Sequence, residues 1–131
     1  MKLKSFNPTN IPASTKSGIP KIALNSKSGT ISFTKFACEK LGLKLTGAQI
    51  EFFQDEKNKE DWYISESKVG FVLRAKDDKS MLFNATFLVK SIFESKEYLH
   101  HTGHVLIAAE PVKINNVDHW PLITSTLKNP E

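Results

Sequence analysis

His100, His101 and His104, with His119 further on, are the side chains in this sequence best suited to hold a metal ion. His100 and His104 would stand one turn apart on a helix. Thr102-Gly103 lies between them and reads as a turn, and no cysteine or acid stands at a matching distance, so the spacing is that of loop histidines. The paired acids Asp55/Glu56, Glu60/Asp61 and Asp77/Asp78 each fall at an expected turn between strands, where a solvated carboxylate is ordinary. A general acid needs a buried, shifted carboxyl group, and nothing in the pattern indicates one. The six glycines are scattered singly, so there is no phosphate-cradling loop, and no Ser or Cys has an elbow motif around it. Cys38 falls inside an expected helix, where a lone cysteine is a small buried hydrophobe. No catalytic residue, metal ligand or cofactor is therefore assigned, and a non-enzymatic protein is expected.

Charge carries more information. Residues 1–38 hold six lysines and no acid, +6, whereas the rest of the chain holds 12 basic and 14 acidic side chains, −2, within a net charge of +4. Basic charge gathered at one end attracts polyanions, with solubilisation of an N-terminal arm as the plain alternative. Single-stranded nucleic acid is bound by cations that follow its backbone and aromatic faces on which bases stack. The first hairpin offers Lys21, Lys27 and Lys35 beside Phe33, and the central one offers Phe71, Arg74 and Lys76, with Phe83 close by. These phenylalanines, like Trp62 and Trp120, are equally core candidates. A single arginine argues against duplex reading through guanine and for lysine contacts of low sequence specificity.

The elements that would position these residues follow from periodicity. Strands are expected at KIALN and TISF, joined by SKSG, then a short helix KFACEKLG with Thr34 as cap and Gly42 as stop. Strands AQIEFFQDE, DWYISES and FVLRAK follow. MLFNA hands over, through Asn84 as cap, to the helix TFLVKSIFESKEY; HVLIAAE and a segment broken at Pro111 complete the chain. Residues 28–64 are loosely echoed by residues 80–123. The offsets are 50 for Phe33 and Phe83, 51 for Phe36 and Phe87, 56 for Gly47 and Gly103, and 58 for Trp62 and Trp120. The expected fold class is α+β: a twisted antiparallel sheet with two helices on one side and an internal ββαββ pseudo-repeat, leaving one sheet face free to bind. The domain spans residues 20–124, with pseudo-repeats 20–66 and 70–124, between a basic arm at 1–19 and a tail at 125–131.

The segment SGTISFTKFACEKLGLKLTGAQIEFFQDE resembles the swapped-hairpin transcription factors of the AbrB type, in which a glycine-led strand, a short helix, a Leu-Gly-Leu and a later Gly precede a strand. That family's usual Pro and Arg before and within the helix are absent. Taken from residue 48, strands 48–54, 61–66, 70–76 and 80–84 followed by helix 86–98 resemble the ββββα unit of the Whirly and PC4-like single-stranded DNA-binding folds. Both resemblances imply DNA binding.

The expectation is thus a non-enzymatic protein that binds single-stranded DNA or RNA with low sequence specificity, without cofactors. The rival from another class is an assembly module that forms homo-dimers or higher homo-oligomers through sheet edges, its charge serving solubility. No apolar run reaches the ~20 residues of a membrane-spanning helix. The N-terminus lacks a signal-peptide pattern, so a cytoplasmic protein is expected.

Overall fold

Asn25 folds the first turn: its side-chain oxygen accepts from the backbone N–H groups of Lys27 (2.9 Å) and Ser28 (3.1 Å). The flanking strands are β1 (Lys21–Asn25) and β2 (Thr30–Phe33), in which Ile22, Leu24, Ile31 and Phe33 are buried, the period-2 pattern of a sheet with one covered face. Gly29 ends the turn at φ +71°, and a Cβ there would collide with Thr86 Oγ1 and lie 3.0 Å from the Thr86 backbone N. Gly29→Ala should therefore lower stability by about 2–3 kcal/mol, left-handed strain adding to displacement of Thr86. A urea unfolding curve measures this, and a loss below ~0.5 kcal/mol would show that the turn relaxes freely.

Helix α1 (Lys35–Leu41) begins as expected, with Thr34 Oγ1 accepting from Ala37 N–H at 3.4 Å. It stops at Gly42, whose φ of 67° lets Leu43 N–H reach back to the Cys38 carbonyl (3.0 Å).

The computed structural model describes residues 19–44, 47–76 and 79–129. The expected N-terminal arm, except for Ile19, lies outside these residues. After α1 come β3 (Gln49–Gln54), β4 (Trp62–Glu66), β5 (Phe71–Val72), β6 (Arg74–Ala75), β7 (Met81–Asn84), α2 (Thr86–Ser95), β8 (Thr102–Ile107), β9 (Val112–Ile114) and β10 (Val117–Ile123), then a 3₁₀ turn at Thr124–Thr126. Asp55 organises the β3–β4 turn. Its Oδ1 accepts from Asn58 N–H (3.0 Å) and Lys57 N–H (2.7 Å), and these two bonds hold its carboxyl below the ordinary aspartate pKa.

Three local expectations are corrected. Thr102-Gly103 is no turn but the start of β8, because both residues pair with β1. Asn84 does not cap α2, whose N-cap is Ala85 with no side-chain bond. Its amide instead donates to the Ser28 carbonyl and the Thr30 Oγ1 (both 3.2 Å), clamping β7 to the first hairpin. Residues 125–129 are not a frayed tail: Leu127 is buried, and the Asn129 side chain accepts from Leu99 N–H (2.8 Å) and donates to the Glu97 carbonyl (2.8 Å).

The pairings, all antiparallel, run β5-β3-β4-β10-β8-β1-β2-β7-β6, with β9 off this path beside β10. The two ends of that order, β5 and β6, are separated in the chain by Leu73 alone, whose N–H bonds the Ala48 carbonyl at 2.9 Å. The sheet therefore curls until its ends meet, forming a barrel. The inner face of this barrel wall is core and its outer face meets solvent. Both helices contribute to that core: Ala37 and Cys38 from α1, and Val89, Ile92 and Phe93 from α2.

The order of strand pairings has a two-fold pattern. Exchanging β1, β2, β3 and β4 with β5/β6, β7, β8 and β10 maps each barrel pairing onto another, leaving β2·β7 and β4·β10 mapped onto themselves. The halves also interlock through their tryptophans. Trp62 Nε1–H donates to Ser95 Oγ of α2 (3.0 Å), while Trp120 lies under Lys40 of α1, 5.3 Å from Nζ to ring centroid. Both tryptophans pack in or against the core.

Candidate nucleic-acid interface

Pairing of β2 with β7 brings the two lysine-bearing hairpins side by side, so β1, β2, β7 and β6 form a continuous four-stranded stretch of barrel wall. At ~4.8 Å between strands that stretch is about 14 Å across. The register places Ala23, Ser32, Leu82 and Arg74 in one row. Ile22, Leu24, Ile31, Phe33, Met81 and Phe83 alternate with this set and are buried, so the row faces outward. None of the four strands contains an acidic residue.

Lys35 and Lys76 meet at one end of this face. Together with Lys79, Thr34 and Ser80 they line an open cavity of about 390 Å³ beside Ala23 and Ser32. Lys76 N–H bonds the Ser80 carbonyl (2.9 Å), which closes the β6–β7 hairpin and sets Lys76 and Lys79 at its tip. Asp77 and Asp78 lie outside the described residues. Lys21 starts β1 at the same end, where its backbone exchanges bonds with Thr34, and Lys35 Nζ sits 5.3 Å from the Phe36 ring centroid. Arg74 is exposed on β6, the outermost strand of the face, its guanidinium donating to Asn84 Oδ1. Lys27 is exposed on the β1–β2 turn at the opposite end. From that turn to Lys35 the strand covers roughly 17 Å.

The aromatic part of the expected site is arranged differently. Phe33 is completely buried, with Phe52 edge-on to its ring at 6.4 Å and Phe83 stacked at 6.5 Å, so it has no face to offer a base. It belongs to the core, and its place among the binding residues is corrected. Phe71 stacks on Phe83 at 4.8 Å and remains 42% exposed; it marks where the aromatic core reaches the surface rather than the lysine-bearing face. Phe36, half-buried beside Lys35, is the ring closest to the cations and was not singled out in the sequence. Lys79 was also missed. It follows two acids in a turn, where alternation gives no orientation, and only closure of the β6–β7 hairpin shows it beside Lys76.

Charge is divided across the molecule. Residues 19–44 carry five lysines and one acid, +4, whereas residues 47–70, which hold β3 and β4, carry six acids and three lysines, −3. These regions include opposite walls of the barrel, β1–β2 and β3–β4.

His100 and His101 lie in the loop before β8, His104 within β8, and His119 is buried in β10 against Phe53. Among the described residues no three His, Cys, Asp or Glu side chains are grouped to hold a metal ion, and no helix is long and apolar enough to cross a membrane. No protein-family profile matches this chain, and neither the curated proteins nor the solved structures contain a match to it.

Proposed function

We propose that this is a cytoplasmic, non-enzymatic protein that binds single-stranded nucleic acid with low sequence specificity across the outer face of β1, β2, β7 and β6. The observation that carries this reading is the β2·β7 pairing, which joins two separate basic segments into one surface bearing Lys21, Lys27, Lys35, Arg74, Lys76 and Lys79. Cations spread over such a face suit a flexible phosphate backbone, whose contacts carry no sequence information. With Phe33 in the core, stacking contributes less than in an aromatic-rich site, and the phosphate contacts supply most of the affinity. The buried, lone Cys38 fits a reducing compartment.

The test is a salt titration of binding to a fluorescent oligothymidylate. Four to five phosphate contacts predict a slope of about −3 in log affinity against log salt, a fall of roughly 60-fold between ~50 and ~200 mM. Absence of salt-dependent binding at ~50 mM salt would remove this reading and leave assembly as its rival. For that rival, barrel closure is unhelpful, because among the described residues β9 is the strand that stands outside the ring with an edge free.

A further inference from the structure

On the side of the molecule away from the lysine-bearing face, the β9–β10 hairpin leaves the barrel and folds back along β3 and β4. Asn115 and Asn116 make its turn with φ of 53° and 65°, the paired left-handed conformation of a tight type I′ hairpin. Cross-strand register pairs Val117 with Ile114 and His119 with Val112, placing these four side chains on one face and Lys113 with Asp118 on the other. The hairpin is pinned at its base. Ser65 Oγ donates to the Asp118 carbonyl (2.9 Å), and the His119 ring meets the edge of Phe53 with centroids 4.8 Å apart. His119 Nδ1 lies 2.9 Å from the Val117 carbonyl, so the ring is held in one orientation.

Between hairpin and barrel wall is a cavity of about 410 Å³, within the range of small-molecule sites, lined by Phe53, Ile114, Val117 and His119 together with Glu51 and Glu66. Ile114 and Val117 stay 42% and 47% exposed although their face of the hairpin includes buried His119, because the protein does not fill the space beside them. No lysine or arginine lines the cavity, and among the described residues neither carboxylate has an ion-pair or hydrogen-bond partner. An apolar body and a positive charge would complement this surface together. A carboxylate or phosphate would meet Glu51 on the outer face, with Glu66 at the rim, and be repelled.

We propose that the cleft under the β9–β10 hairpin binds a small organic cation, a primary amine carrying an aromatic or branched aliphatic group. The ammonium would sit at Glu51, which the β3–β4 register puts on the same outer face as Phe53 and Ser65, with Glu66 at the rim, and the apolar body would lie over Phe53, Ile114 and Val117. The cavity volume favours a small ligand over a peptide or a second copy of the chain. This assignment is independent of nucleic-acid binding, since the cleft residues belong to other strands.

Phenethylamine is a suitable probe, followed by amide-resolved NMR titration of the full chain beside 2-phenylethanol and 3-phenylpropionate. Fragments of this size bind such clefts with dissociation constants on the order of 1 mM. The expected result is that amides of residues 114–119 and of β3 shift with phenethylamine. The alcohol should bind at least ~10-fold more weakly, since it lacks the charge, and the acid should not bind. Glu51→Gln/Glu66→Gln should remove the difference between amine and alcohol while leaving the alcohol's own shifts in place. No shifts at ~10 mM amine, or equal affinity for amine and alcohol in the unmodified protein, would overturn the proposal. Oligonucleotide affinity measured in parallel should not change with phenethylamine, so failure of one reading is separable from failure of the other.

Discussion

Replacing Phe33 by alanine is expected to lower the unfolding free energy by about 3–5 kcal/mol, the cost of removing a fully buried aromatic ring. Phe33 is 0% exposed and lies between Phe52 and Phe83, while Phe83 in turn stacks on Phe71 and meets Phe52 at 6.0 Å. These rings come from β2, β3, β5 and β7, so the cavity left behind would open where several strands converge. Since domains are typically stable by only ~5–15 kcal/mol, the variant would lose about a fifth or more of its margin. Urea unfolding should show a lower midpoint at an unchanged slope. Phe71→Ala removes a half-exposed ring and should cost about 1–2 kcal/mol. A loss below ~1 kcal/mol for Phe33→Ala would contradict the core assignment and return that ring to the set of surface candidates.

The triple substitution Lys35→Ala/Lys76→Ala/Lys79→Ala is expected to weaken oligonucleotide binding by about two orders of magnitude at ~50 mM salt, and to reduce the salt slope by about 2, at roughly 0.7 per lost phosphate contact. These lysines surround one cavity at the end of the β1-β2-β7-β6 face, so they act on the same stretch of backbone. The comparison that gives this number meaning is Lys57→Ala/Lys59→Ala/Lys68→Ala, which removes the same net charge from the loops flanking β4. That variant should bind within a few-fold of the unmodified protein, because surface charges beyond a Debye length, roughly 14 Å at ~50 mM salt, are largely screened. If both triple variants lose affinity equally, binding follows net charge and no face is specific. Both sets are surface substitutions, and each should leave stability within ~0.5 kcal/mol per site.

How far the sequence reached depended on the range of the interaction. Thr34 as cap, Gly42 as stop and the alternation of Ile22, Leu24, Ile31 and Phe33 were legible, because caps, left-handed stops and strand periodicity act over a few residues. The turn at Asn115-Asn116 was present in the residue types, since asparagine tolerates positive φ, but was hidden by Pro111 and the polar segment around it.

Other features exist only in three dimensions. Asn84 looked like a helix cap because its type and position fit one, yet it bonds across to Ser28 and Thr30, partners that β2·β7 pairing supplies. Residues 125–129 looked like a loose tail, and docking of Leu127 and Asn129 onto the rest of the molecule secures them. Phe33 and Phe71 were indistinguishable as candidate stacking residues until barrel closure at Leu73 enclosed the first and left the second at the rim. By itself the sequence determined the α+β class, most of the elements and the location of its lysines, all properties of neighbours along the chain. Only the tertiary structure decided which strands meet, and with that which lysines share a face and which phenylalanines are enclosed, because strand pairing is selected by burial of the entire sheet and not by any segment's own pattern.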